Sequence, residues 1–185
     1  MDNILEHMRN LHSAIGDCLA RGQHFAALIL LYAGIDIIAS IELKKGNNKT
    51  SFMHWADAYL IPAGSLDCTS LELYSARCGI LHTMTAESDL SRSGQARAIY
   101  YSWGDADPEQ LNAAIEMSEA KGTALVLNVE HLSDTFMAAV FKWAHEVRQD
   151  AARLQRIEDK AVKWFVNMQT DFAWTFVDEQ DEGRD

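Results

Sequence analysis

The feature that most constrains the fold is a long stretch, from His24 to Leu43, that is nearly all apolar. Its length indicates a helix, because strands are usually no longer than about ten residues. A helix that is apolar on every face has to be covered on most sides. The stretch is interrupted by Gly34, Asp36 and Ser40, which make it too short and too polar to span a bilayer comfortably. The sequence therefore predicts a central helix surrounded by other elements, and no membrane partner.

Helical periodicity on both sides of this stretch supplies elements that can cover it. Apolar residues recur at helical spacing from Ile4 to Leu19, and Arg21-Gly22 ends that pattern. A short helix follows Thr50 or Ser51, either of which can cap it, and residues 61–65 are expected to stop it. A further helical pattern runs from Ser133 to about Thr170, as one helix or two.

One segment of the chain reads as β-α-β. Residues 96–103 and 123–130 have the composition of strands. Between them, Asp107-Pro108-Glu109 starts a helix with a cap, a proline in its first turn and an acidic residue, and Gly122 is expected to close it. The predicted fold is mainly α, a helical bundle with a small β-α-β insertion around residues 96–130. We expect one domain over residues 1–177 and a disordered acidic tail over 178–185.

Composition narrows the function. The net charge of −11 opposes general nucleic-acid binding, which needs a concentrated basic surface, although a local basic pocket within an acidic envelope can still bind RNA. Three cysteines without Cys-x-x-Cys spacing argue against structural zinc and against a disulfide framework. The start of the chain shows no secretory signal pattern. We therefore expect a reduced, cytoplasmic protein without a metal or another cofactor.

The segment from Leu71 to Thr83 carries the most informative chemistry. It reads as an apolar helix opened by a capping box, Thr69-Ser-Leu-Glu72, and it bears Arg77 and His82 near its end. Histidine can exchange a proton near neutral pH, and arginine can stabilise charge on phosphate. Five residues of α-helix turn through about 500°, which displaces the two side chains by roughly 140°. If the helix end loosens before His82, both side chains can still line one cleft, but two copies meeting around a two-fold axis make the more economical site.

Arg-x4-His on a helix of a mostly helical chain resembles the HEPN superfamily. The resemblance covers the helical parts of the chain, and its specific element is the short motif Arg77 to His82. It implies a HEPN-like antiparallel helical bundle and a metal-independent endoribonuclease. Such an enzyme cleaves RNA by transesterification through the 2′-hydroxyl, at a composite homodimer site, so DNA is not a substrate. Many HEPN proteins are toxins or defence effectors, so the resemblance also implies a possible antitoxin partner.

Other residues are candidates for supporting roles. Asp36, a carboxylate within the most apolar helix, needs a partner and is the candidate for orienting Arg77 or His82; a local ion pair without a chemical role is the alternative. Cys78 is expected to be a small buried residue. Thr83 can contact phosphate or cap the helix end. The candidate RNA-binding residues are Tyr74, Arg92 and Arg97, with core packing or a solvated loop as alternatives.

Two other interpretations remain open at this stage. HEPN motifs often carry Asn, Asp or His directly after the arginine, where this chain has Cys78. That departure and the acidity favour a catalytically inactive HEPN-like domain that serves as a dimeric interaction module or partner subunit. The other interpretation is an unrelated helical protein in which Arg77 pairs with an acidic residue and His82 contacts the helix C-terminus.

Overall fold

The computed structural model describes residues 1–43 and 47–164, and over this range the protein is mainly helical with one two-stranded parallel sheet. The predicted mainly α fold with a small β-α-β insertion is confirmed. Two short π-helical segments, Ala56–Leu60 and Gly79–Thr83, each continue directly from an α-helix. The helices are α1 (Asp2–Ala20), α2 (His24–Glu42), α3 (Asn48–Trp55), α4 (Ile61–Gly64), α5 (Ser70–Cys78), α6 (Asp89–Arg92), α7 (Pro108–Glu116), α8 (Val129–Arg148) and α9 (Ala151–Trp164), and the strands are β1 (Ala98–Ser102) and β2 (Ala124–Asn128).

Helix α2 lies at the centre, as its apolar sequence predicts. It contacts α1, α3, α8 and α9, and the second π segment also packs against it. Gly34 permits the closest approach. A Cβ atom there would lie 2.6 Å from Leu11 Cδ2 and 3.0 Å from Phe136 Cζ, so α1 and α8 both reach the backbone of α2. The core therefore forms where α1, α2 and α8 meet.

By length and apolar composition, α2 could also cross a membrane. Half of its most apolar 18-residue window is buried inside the structure. The core helix of a soluble protein meets the same criterion, and so does a signal sequence near an N-terminus. This property is weak evidence for a membrane span.

The C-terminal helices are held to the end of α2 by a partly buried ion network. Glu42 accepts hydrogen bonds from Trp143 Nε1 at 2.7 Å and from Arg153 Nη2 at 3.0 Å. Arg156 Nη1 donates to the Glu42 carbonyl at 2.6 Å, and Arg153 also donates to the Tyr59 hydroxyl at 2.8 Å. Removal of one partner of such a pair is strongly destabilising, because the charge of the other partner is then left unpaired. The network therefore fixes α9 against α2.

The β-α-β excursion has the predicted order. Strand β1 pairs in parallel with β2, in a register from Ala98 opposite Ala124 to Ser102 opposite Asn128. Helix α7 connects them. The side chain of Asn112 on α7 accepts from Val126 N at 2.7 Å and donates to Val126 O at 2.9 Å. One amide side chain therefore satisfies both backbone groups of a β2 residue.

Several predicted boundaries were wrong. Asn47 rather than Thr50 or Ser51 caps α3, since its Oδ1 accepts from Thr50 N at 2.9 Å. The helical path continues past Pro62 and ends at Gly64, within the residues 61–65 that were expected to stop it. A proline is tolerated there because the preceding π segment already interrupts the regular i→i−4 hydrogen bonds that it would break.

Two other segments differ from the sequence prediction, and a third lies outside the described range. Residues 89–92, where a solvated loop was one alternative for Arg92, form the short helix α6. Helix α7 ends at Glu116 rather than at Gly122, and α8 begins at Val129, where Asn128 caps it. The expected tail at 178–185, the end of the expected domain at 177 and the last residues of the helix predicted to reach Thr170 lie outside the described residues.

Candidate active site

The start of α5 is fixed by the predicted capping box and by one arginine. Thr69 Oγ1 accepts from Glu72 N at 3.2 Å, and Glu72 Oε2 accepts from Thr69 N at 2.7 Å. Arg97 Nε donates to Glu72 Oε1 at 2.6 Å, and Arg97 Nη2 contacts the Asp67 carbonyl at 3.1 Å. Burial raises the pKa of Glu72, but the bonds from Arg97 and Thr69 outweigh it and hold that pKa below its usual value. Arg97, a candidate RNA contact, is therefore occupied in anchoring this helix.

The π-helical segment at the end of α5 brings Arg77 and His82 together. The expected displacement of roughly 140° assumed an α-helix, and here that assumption is wrong. A π turn bonds residue i to residue i+5, so it brings residues five apart closer together around the axis than an α-helix does. Arg77 Nη1 lies 2.9 Å from His82 Nε2. The two motif residues thus form a direct contact within one chain.

Asp36 on α2 holds the other side of the arginine. Its Oδ2 accepts from Arg77 Nε at 2.8 Å and from Arg77 Nη2 at 2.7 Å. The Arg77 side chain is 12% exposed and the Asp36 side chain 21% exposed. Burial lowers the pKa of Arg77, yet the bonds and charge of Asp36 outweigh that effect and the pKa is raised. The guanidinium is therefore positively charged and fixed in direction.

The contact to Arg77 defines the state of the His82 ring in this arrangement. A guanidinium has only N–H donors, so His82 Nε2 is the acceptor and the ring proton lies on Nδ1. The His82 residue is exposed, whereas Arg77 is half-buried. Asp36, Arg77 and His82 consequently form a hydrogen-bonded chain that runs from the central helix to the surface.

Gly79 makes the π segment compatible with the loop that follows it. A Cβ atom at this position would lie 2.6 Å from the Thr85 carbonyl oxygen and 2.9 Å from that of Glu87. The Gly79 carbonyl accepts from Thr83 Oγ1 at 2.9 Å, and Thr83 Oγ1 lies 2.9 Å from Thr85 Oγ1. The sequence analysis missed Gly79, although a glycine inside a helical pattern is a signal for close packing. Thr83 closes the helix end here.

Tyr74 and Cys78 surround the base of the arginine. The Tyr74 ring lies edge-on to Phe52, with centroids 5.7 Å apart, and Arg77 Cζ is 5.9 Å from its centroid. Lys49 Nζ is also 5.9 Å from that centroid. Burial raises the pKa of Tyr74, and the neighbouring Cys78 raises it further. Cys78 is partly exposed, so the expectation that it is buried was wrong.

Arg92 is separate from this group. It pairs with Asp89 at 2.6 Å on the exposed surface of α6. It also lines a hollow of about 180 Å³ together with Tyr100 of β1. Within residues 1–43 and 47–164, no group of three or more His, Cys, Asp or Glu side chains is arranged to hold a metal ion.

Comparisons with protein-family models, with curated proteins and with solved structures found no match for this chain. The candidate site is consequently defined by its own geometry. It consists of a charged arginine held by an acidic residue from the central helix and an exposed histidine that accepts from that arginine.

Proposed function

We propose that this protein is a metal-independent endoribonuclease that cleaves RNA by attack of the 2′-hydroxyl on the adjacent phosphate. In this proposal the fold is a HEPN-like bundle, and the active site is completed by two copies of the chain. The observation that carries the proposal is the chain of contacts from Asp36 through Arg77 to His82, with distances of 2.7 to 2.9 Å. It joins an anion-binding group and a proton-transfer group at one surface.

Arg77 binds the scissile phosphate in this mechanism. Its guanidinium has five N–H donors, so it can keep its contacts with Asp36 and still donate to a phosphate oxygen. Asp36 holds the planar group in place before the substrate arrives, which limits the reorganisation needed when negative charge develops on the phosphate. Asp36 is thus a positioning residue and Arg77 a catalytic residue.

His82 transfers the proton. When a phosphate oxygen takes the N–H of Arg77 Nη1, His82 Nε2 is released and can accept the proton of the 2′-hydroxyl. The 2′-oxygen then forms a bond to phosphorus, and the bond from phosphorus to the 5′-oxygen breaks. The departing oxygen needs a proton, which the imidazolium of His82 in a second copy supplies. The products are a 2′,3′-cyclic phosphate and a 5′-hydroxyl.

The exposure of His82 supports a site shared by two copies. One step needs a neutral imidazole and another needs a protonated one, and two exposed histidines around a two-fold axis provide both. The proposal therefore includes a homodimer whose interface contains the motif helix. By its resemblance to HEPN proteins, such an enzyme is a cytoplasmic toxin or defence effector, and an antitoxin would be its natural partner.

The test is RNA cleavage by the purified protein with EDTA present. We expect cleavage of single-stranded RNA and none of a 2′-deoxy substrate, because the 2′-hydroxyl is the nucleophile. Replacement of His82 by Ala should lower the rate about 10²- to 10⁴-fold, and Arg77→Ala should abolish the stabilisation of phosphate charge. Matched controls are His145→Ala and Arg148→Ala, which remove an exposed histidine and an exposed arginine from α8.

Two outcomes would reject this mechanism. Cleavage that persists in His82→Ala, or that proceeds equally on the deoxy substrate, contradicts the assigned proton transfer. A well-folded wild-type dimer that cleaves none of a varied set of RNAs would favour the inactive interaction module instead. Sedimentation at micromolar concentration tests the dimer separately, and a strictly monomeric species contradicts the composite site.

A further inference from the structure

A cleft of about 620 Å³ opens next to the candidate active site. It is lined by the start of α2 at Gln23 to Ala26, by residues of β1 and by Trp103. Ile80 and Met84 also line it. These two residues lie two positions before and two positions after His82, so the cleft adjoins the π segment of the motif, although His82 itself does not line it.

The side chains around the cleft include aromatic faces open to a ligand. His24 and Trp103 stack on each other with ring centroids 4.2 Å apart and an angle of 18° between their planes. Trp103 is 48% exposed and Tyr100 is 47% exposed. Exposed aromatic rings at one edge of a cleft are unusual, because their apolar surface is otherwise buried. These planar side chains can stack with a planar ring of a ligand.

Among the described residues, those that line the cleft include no acidic residue and no lysine or arginine. The chain as a whole has 27 acidic residues. A phosphate near the mouth would therefore meet little local repulsion despite the net charge of −11.

A second, smaller hollow adjoins the cleft at Tyr100. Tyr100 lines both the large cleft and the hollow of about 180 Å³ that contains Arg92. A strand leaving the cleft past Tyr100 would meet Arg92, which is paired with Asp89, and also Glu87.

We propose that this cleft binds one unstacked nucleobase of a single-stranded RNA, next to the phosphate that Arg77 holds. The proposal rests on the function proposed above, since it assigns a substrate subsite to the same centre. Aromatic side chains bind splayed-out bases by stacking, and such bases are available in single strands and loops rather than in duplexes. The expected substrate is therefore unpaired RNA, with Trp103 and Tyr100 supplying the stacking surface.

The test measures binding without cleavage. The probe is a short fluorescein-labelled 2′-O-methyl RNA, which lacks the free 2′-hydroxyl that the reaction needs, and the readout is fluorescence anisotropy. Removal of one stacking aromatic weakens single-strand binding by roughly 5- to 140-fold. We expect a loss of that size in Trp103→Ala and in Tyr100→Ala, and partial recovery in Trp103→Phe. The matched control is Phe141→Ala, which removes an aromatic side chain that is 44% exposed on α8.

The outcomes for the subsite are distinct from those for catalysis. Binding that depends on Trp103 in a protein that cleaves no RNA supports the base site and rejects the proposed enzyme. Cleavage that proceeds while Trp103→Ala and Tyr100→Ala bind the probe as tightly as Phe141→Ala overturns the base site alone. Absence of probe binding by the wild-type protein also overturns it. A changed sedimentation coefficient in Trp103→Ala with unchanged probe binding would assign the cleft to a second copy of the chain, against the proposal.

Discussion

Replacing Gly79 by alanine should loosen the loop that follows the motif. The new Cβ would lie 2.6 Å from the Thr85 carbonyl oxygen and 2.9 Å from the Glu87 carbonyl oxygen, and both of these atoms belong to the backbone. A backbone cannot yield by a change of rotamer, so the loop or the π segment has to move. Overpacking of this kind costs about 1–3 kcal/mol. Against this cost, replacing a glycine by alanine within a helix stabilises the folded state by about 0.5–1 kcal/mol.

A control in the same protein separates these two effects. Gly16 lies within α1, and a Cβ there would meet nothing within 4 Å. Gly16→Ala should therefore show the helix gain alone, whereas Gly79→Ala shows the gain minus the clash. The difference between the two variants is then the cost of the clash, about 1–3 kcal/mol, or about 2–12 °C in Tm for a chain of this size.

The assay is thermal unfolding of both variants beside the wild type, followed by circular dichroism. RNA cleavage is measured in parallel at a temperature where all three are folded. Because a shifted loop would carry His82 with it, Gly79→Ala should also lose activity while Gly16→Ala keeps it. Equal Tm values for the two variants would refute the close contact between Gly79 and the loop carbonyls.

Three further results are expected. Asp36→Asn should lower the free energy of unfolding by about 1–3 kcal/mol, because the half-buried Arg77 loses its charged partner. His82→Ala should change the free energy of unfolding by less than about 0.5 kcal/mol. Equal losses for the two variants in urea unfolding would contradict this difference. Glu72 has a lowered pKa, so its contribution to stability is complete above its usual value of 4.5 and is lost as the pH falls through the lower folded value. Glu72→Gln should therefore flatten the acid limb of a stability profile, and an unchanged limb would be inconsistent with the pairing. Burial raises the pKa of Cys68 to about 12, so iodoacetamide at pH 8 should label it on the order of 100-fold more slowly than the two partly exposed cysteines, and comparable rates of peptide labelling would argue against that burial.

The fold was largely predictable from the sequence because strong local signals agree with the packing. The apolar helix His24–Glu42, the capping box at Thr69 and the Asp107-Pro108 helix start all occur as expected. The irregular stretches within the helical regions were not predictable. Sequence periodicity assumes a uniform α-helix, and the structure contains two π segments, at Ala56–Leu60 and Gly79–Thr83. A π turn depends on tertiary packing, so local sequence propensity does not predict it.

The candidate site was predictable in its residue types but not in its geometry. The sequence pointed to Arg77, His82 and Asp36, since a carboxylate in an apolar helix needs a partner. It could not show that Arg77 and His82 touch, because that contact depends on the π turn. It also could not find the aromatic cleft, because Trp103 comes from the end of a strand and His24 from the start of a distant helix. Contacts between remote segments leave no periodic signal in a single sequence.

The hydrogen bonds from Asn112 to Val126 have a consequence for solubility. A two-stranded sheet exposes backbone groups on both outer edges, and such edges invite pairing with strands of other molecules. The Asn112 side chain takes up both the N–H and the C=O of Val126. One amide therefore blocks the middle of an edge that could otherwise template aggregation. A chain carrying leucine at this position would keep its helix α7 and would offer an open strand edge to its neighbours.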